Sequence, residues 1–227
     1  MCPVLCARGV QLFWRQIKVL LLVLGGMVRS AVAIDLDVQQ WELINYRKIK
    51  ANTVTNVNDH MLINVDQSSS ALVYPFATAK TVKGIKIRAQ MQGDLNYQDM
   101  VPGSMGADDF PLRIGLIEQG SKKLNFLQKA MAPQWLKTLN AFSANYGGLN
   151  QVYSLLFYTQ SPDFEKREHP LAKYFFEVAL AQFKNGKLEY SHQFEQPTQN
   201  IGLWISSDGD DTLSSYSIRI HALQLIE

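Results

Sequence analysis

Cysteine is nearly missing from this sequence: its 227 residues hold two, Cys2 and Cys6, and none beyond. That absence excludes a disulfide framework and a catalytic or metal-binding thiolate over most of the chain, so stability must come from an ordinary apolar core. Long apolar runs are missing as well. Val19 to Val28 is about half of the ~20 residues that a bilayer-crossing helix needs, and Gly25 and Gly26 interrupt it. No cluster of Lys and Arg is longer than three, which removes the electrostatic footprint of a nucleic-acid binder. The four histidines, His60, His169, His192 and His221, lie far apart with no H-x-x-x-H pair, so no local spacing builds a zinc site. Neither a glycine-rich phosphate loop nor a G-x-S-x-G turn is present.

What is present begins with an export pattern. Arg8, Arg15 and Lys18 precede the short apolar run, and small residues ending in Ala31, Val32 and Ala33 follow it. This order of basic, apolar and A-x-A segments predicts a signal peptide over 1–33, cleaved to leave Ile34 first. Residues 34–227 are then one domain, periplasmic or secreted from a bacterium, with no transmembrane segment after processing. The leader carries four of the 22 basic residues and none of the 20 acidic ones, so the remainder holds 18 against 20 and is near neutral.

Within 34–227 the apolar pattern repeats every second residue. In Val82 to Met91, the residues Ile85, Ile87, Ala89 and Met91 share one face, which predicts a half-buried strand. Met61 to Val65 and Ala71 to Phe76 flank the serines 68–70 and read as two strands of a hairpin or meander. Strands are also expected over 112–117, 152–158, 174–183, 188–194, 201–206 and 216–225, with a compact turn at Asn185 and Gly186. Residues 121–146 differ: Leu124, Leu127, Ala130 and Met131, then Trp135, Leu136, Leu139 and Phe142, recur at helical spacing, with Pro133 opening a second helix and Gly147 and Gly148 closing it. The expected fold is an all-β antiparallel sandwich, jelly-roll-like, of nine or ten strands with a helical insertion around 121–146.

Two segments carry most of the chemistry. Asp108, Asp109, Phe110, Pro111, Leu112 and Arg113 run from an acidic turn into a strand, and Asp208, Gly209, Asp210, Asp211 and Thr212 form a loop before the last strand. Together they resemble a bacterial secreted family of unknown function with a DD-x-P-x-R strand start and a late D-x-D-N-T loop. That resemblance implies a galactose-binding-type jelly roll and no known activity. Asp211 departs from the pattern by standing where the family has Asn.

Read by themselves, the three carboxylates of the late loop repel unless solvent or a cation screens them, which makes Asp208, Asp210 and Asp211 candidate ligands of a structural Ca²⁺. A solvated turn, with Asp side chains holding nearby amides, is the competing reading. Strand alternation places Asp109 on the same side as Arg113, which predicts an internal ion pair between them. Asp108, Asp109, Arg113 and Trp204 are the candidate ligand-binding residues, Trp204 because sugars stack on aromatic faces. The expected function is a non-catalytic binding module for a carbohydrate or cell-envelope component. The alternative is a glycan hydrolase with a carboxylate pair drawn from Asp108, Asp109, Asp208, Asp210 and Glu177.

Overall fold

The computed structural model describes residues 31–170 and 172–227. The expected leader therefore lies outside the described residues except for Ala31–Ala33. These three form β1, which pairs with the C-terminal strand at 224–226. The other strands are β2 (Glu42–Asn45), β3 (Thr53–Val57), β4 (His60–Asp66), β5 (Ser69–Gly93), β6 (Leu112–Lys122), β7 (Leu149–Tyr158), β8 (Lys166–His169), β9 (Ala172–Gln182), β10 (Lys187–Asp208) and β11 (Ser215–Ile226). They join in the order β3-β4-β11-β5-β10-β6-β7-β9-β8, with β2 beside β5. All pairs are antiparallel except β7 with β9. The fold is all-β and sandwich-like, with ten strands in residues 34–227.

The sandwich arises from two strands that are too long for one layer. β5 has 25 residues and β10 has 22, and at about 3.3 Å per residue either would overrun a single sheet unless it bent. They bend together. Their mutual register shifts between Gln193 and Thr198 and again between Asn200 and Gly202. The early half of β10 runs along β5 at 84–90, beside β11, and its late half runs along β5 at 69–75, beside β6. The segments 71–76 and 82–91, read from sequence as separate strands, are thus the two halves of β5. The expected hairpin between 61–65 and 71–76 does not form: β11 lies between β4 and β5, and the serine turn hands the chain to the other layer.

Ile85, Ile87, Ala89 and Met91 point inward as their alternation predicts, and they meet Leu112, Ile114, Leu155, Phe157, Leu203 and Ile205 from the facing layer. Asn185 and Gly186, with φ of 51° and 69°, make a two-residue turn in which Lys184 and Lys187 exchange backbone hydrogen bonds. The flanking strands then part, β9 to β7 and β10 to β5.

The insertion is helical over a shorter span than 121–146, because β6 continues to Lys122. It comprises α1 (Phe126–Met131) and α2 (Gln134–Ala144). Asn125 and Gln128 form a reciprocal capping box on α1, and Pro133 caps α2. Leu139 of α2 covers Ala71, Val73, Ile117, Val152, Phe175 and Trp204, a second apolar cluster on the outer face of the β5-β10-β6-β7-β9 layer. No described helix is long and apolar enough to cross a membrane.

Candidate functional site

The outer face changes character row by row. Gly202, Ile117, Val152 and Phe175 lie in register across four strands and are capped by α2. In the next row Trp204, Gly115, Ser154, Glu177 and Arg167 stand side by side. Beyond it Ser206 faces Arg113, and beyond that Asp208 faces Ser69. Apolar contact therefore gives way to charge within three rows of one sheet. Gly115 makes this possible, since a Cβ there would approach Val152 Cγ1 to 2.8 Å and Trp204 Cβ to 3.1 Å.

Arg113 is the centre of the charged part. Its Nη1 meets the Asp208 carboxylate, its Nε donates to Glu177 Oε1 at 3.1 Å, and its Nη2 donates to the Asp108 carbonyl at 2.7 Å. Arg167 donates to Glu177 Oε2 at 2.7 Å and also meets the Asp108 carboxylate. Ser69 donates to Asp208. Arg113 and Glu177 are 7% and 1% exposed, so their charges persist only because each is answered by the other. Burial would raise Glu177, but Arg113, His169 and Arg167 outweigh it and hold the carboxyl below its usual range. His169 is held below the ordinary imidazole value by burial, against the pull of Glu177, and is neutral near pH 7.

The expected Asp109–Arg113 pair is not made. Asp109 instead accepts the Thr212 amide and hydroxyl, both at 2.7 Å, while the Tyr97 hydroxyl holds its carbonyl at 2.7 Å. Asp211 returns the bond by accepting the Asp108 amide at 3.2 Å. The two acidic segments thus clasp each other through backbone amides, which leaves Arg113 free to turn to Asp208 and Glu177. Burial raises the Asp109 carboxyl despite Thr212. Asp210 is pushed up to about 6, by burial first and then by Asp109.

All eight residues singled out in the sequence, Asp108, Asp109, Arg113, Glu177, Trp204, Asp208, Asp210 and Asp211, line one pocket of about 410 Å³. Part of its lining is aromatic. Trp135, Phe175 and Trp204 meet edge to face, with centroids 5.3 to 6.4 Å apart. Tyr46, Arg47, Ser154, Ser206 and His169 also line it. Calcium would require several oxygens converging on one point. Among the described residues no group of three or more His, Cys, Asp or Glu side chains does so. Asp208 is turned to Arg113 and Ser69, and Asp211 to the Asp108 amide.

No family model matches the chain. No curated protein matches it either. The DD-x-P-x-R resemblance therefore rests on its own residues. A solved structure described as "Structure of PfGH50B" is similar over 83% of this chain and 22% of that one, at 10% identity and a TM-score of 0.33. The chain spans less than a quarter of that protein, and a likeness of this size carries no functional argument.

Glu177 is among the candidate carboxylates of the sequence, whereas Trp135 enters it only through the helical pattern. Arg167, Ser154, Ser206, Tyr46 and Phe175 carry no site signal there, and His169 is one of four scattered histidines. The one local signal was Glu177 itself, a charged residue inside the apolar run 174–183.

Proposed function

We propose that the protein is an exported, non-catalytic binding module whose pocket receives one sugar ring of a carbohydrate or other envelope component. The observation that carries this reading is the pairing, in one pocket, of an aromatic wall from Trp135, Phe175 and Trp204 with a polar floor of carboxylates, guanidinium and hydroxyls. A sugar presents an apolar ring face and a rim of hydroxyls, and such a pocket answers both. Export is supported by the basic, apolar and A-x-A order of residues 1–33.

A glycan hydrolase is the second reading, favoured by the Asp210 carboxyl, whose value near 6 suits a general acid. Hydrolysis also needs a second, available carboxylate as base or nucleophile. Glu177 has both oxygens taken by arginines, Asp208 is held by Arg113 and Ser69, Asp109 accepts Thr212, and Asp211 accepts the Asp108 amide and adjoins Asp210 in the same loop, so no carboxylate stands across from Asp210 without a partner and the binding reading stands ahead.

Calorimetric titration of residues 34–227 with a panel of neutral and charged oligosaccharides tests it. Binding is expected for at least one class, and Trp135→Ala should weaken it about tenfold, the worth of one stacking contact. Cleavage of the bound glycan, or no binding across the panel, overturns the reading. Protein recovered from an exported fraction should begin at Ile34, and an intact Met1 would refute export.

A further inference from the structure

Resting on the pocket reading, we propose that the ligand carries a protonated amine, as an amino sugar does, and that Asp210 and Asp211 recognise it. The pocket carries more carboxylates than guanidinium groups. Asp108, Asp109, Asp208, Asp210, Asp211 and Glu177 line it, while the guanidinium groups of Arg47 and Arg113 line it and that of Arg167 lies behind Glu177 and Asp108. Six carboxylates face three guanidinium groups, and His169, held neutral by burial, does not change the balance.

The surplus is not spread evenly. Asp108, Asp208 and Glu177 are committed to arginines and Asp109 to Thr212. Asp210 is half-buried, and its carboxylate accepts no hydrogen bond from another described residue. Asp211 is exposed; its carboxylate accepts the Asp108 amide and its own amide donates to Asp109 Oδ1. Asp210 and Asp211 are therefore the lining carboxylates that no described ion pair holds, in a pocket that Trp135, Phe175, Trp204 and Arg47 also line. Carboxylates opposite aromatic faces are the arrangement that attracts an organic cation, because the ring face is itself electronegative.

A second, independent observation marks the floor as a binding surface. Ser154 and Ser206 line the pocket and are 1% and 3% exposed, and neither oxygen is among the fully buried side-chain atoms without a partner, so the exposed part of each opens onto the pocket. A hydroxyl in that position can both donate to and accept from a ligand, and the two lie on adjacent rows of the sheet. An uncharged sugar would satisfy these hydroxyls but leave the carboxylate surplus desolvated. An acidic sugar would add to it. A ring bearing an ammonium group satisfies both.

The test compares three tetrasaccharides by calorimetry at about pH 6.5, where Asp210 is more than half ionised and a sugar amine is in part protonated: the glucosamine tetramer, its N-acetylated counterpart and tetragalacturonate. Spermidine serves as a cation without a sugar. The glucosamine tetramer is expected to bind about tenfold more tightly than the acetylated one, and galacturonate not at all. Asp210→Asn should erase that preference, while Trp135→Ala weakens both sugars alike. Asp211→Asn, at an exposed position, gives the same readout should the first variant fail to fold. Equal or tighter binding of the acetylated tetramer or of galacturonate overturns the amine while leaving the sugar reading intact. Binding of spermidine with no sugar bound overturns the sugar reading and supports the cation. No binding by any probe overturns both.

Discussion

Strands β6 and β10 have two faces that do different work. Leu112, Ile114, Leu203 and Ile205 point inward, are fully buried and meet only apolar neighbours. Arg113, Ser206 and Asp208, one residue over, point outward into a network where each charge needs a specific partner. Alternation of side chains along a strand thus lets one backbone serve two purposes. The inner face holds the layers together by burial, which is indifferent to direction and to pH. The outer face holds a pocket by ion pairs, which depend on both.

The sharpest break in this comparison should come from the inner face. Phe157 is fully buried between the layers, and Phe157→Ala is expected to cost about 3–5 kcal/mol. Denaturant melts at pH 4.5 and 7.5 should give the same loss. A loss that changed strongly with pH would mean that the inner face is coupled to the charged one.

Arg113→Met on the outer face should cost about 3 kcal/mol near pH 7, because Asp208 is left buried without its cation and Glu177 keeps only Arg167. Here the cost depends on pH. Glu177 has a folded value below its unfolded one, so its contribution is present above the unfolded value and lost as pH falls through the folded one. In the variant Glu177 loses Arg113, the largest of the charges that hold it down, and protonates more readily. The gap between parent and variant should therefore narrow as pH falls from 7 to 4, and a gap that stayed constant would show that Arg113 acts by packing alone.

The same contrast explains what could be read from the sequence. The inner face announces itself through period-two patterning, as at Ile85, Ile87, Ala89 and Met91, and the helical insertion through its three-and-four spacing. Residues close in sequence at the site were legible too: Asp108, Asp109 and Arg113 in one segment, and Asp208, Asp210 and Asp211 in another. Their partners were not. Arg113 meets Glu177 across 64 positions, through the parallel pairing of β7 with β9, and parallel pairing leaves no local turn signal. The Asp109–Arg113 pair was inferred from strand alternation, but Asp109 lies before β6 begins, in a loop whose amides and hydroxyls compete for its carboxylate. The joining of 71–76 and 82–91 into one bent strand was likewise hidden, because a bend at a register shift leaves both halves with ordinary strand patterns.

The smallest effect is expected where the network is incomplete. Asp210 has a folded value of about 6, raised by burial and then by Asp109 and Asp211, so the native state holds a proton there that the unfolded chain gives up near pH 4. The sign is opposite to that of Glu177: the native state is favoured while Asp210 is protonated and loses part of that advantage as pH rises through about 6. Replacing the carboxyl with a neutral amide removes the loss. Asp210→Asn should match the parent at pH 4 and exceed it at pH 7.5, by under about 1 kcal/mol because the group is only half-buried, or about 2–4 °C in melting temperature at most. The added stability should come with weaker ligand binding, as expected of a charge kept for recognition at a cost to the fold. If the variant is instead less stable than the parent at pH 7.5, Asp210 holds the loop together, and the division between a structural inner face and a functional outer face would have to be redrawn at residue 210.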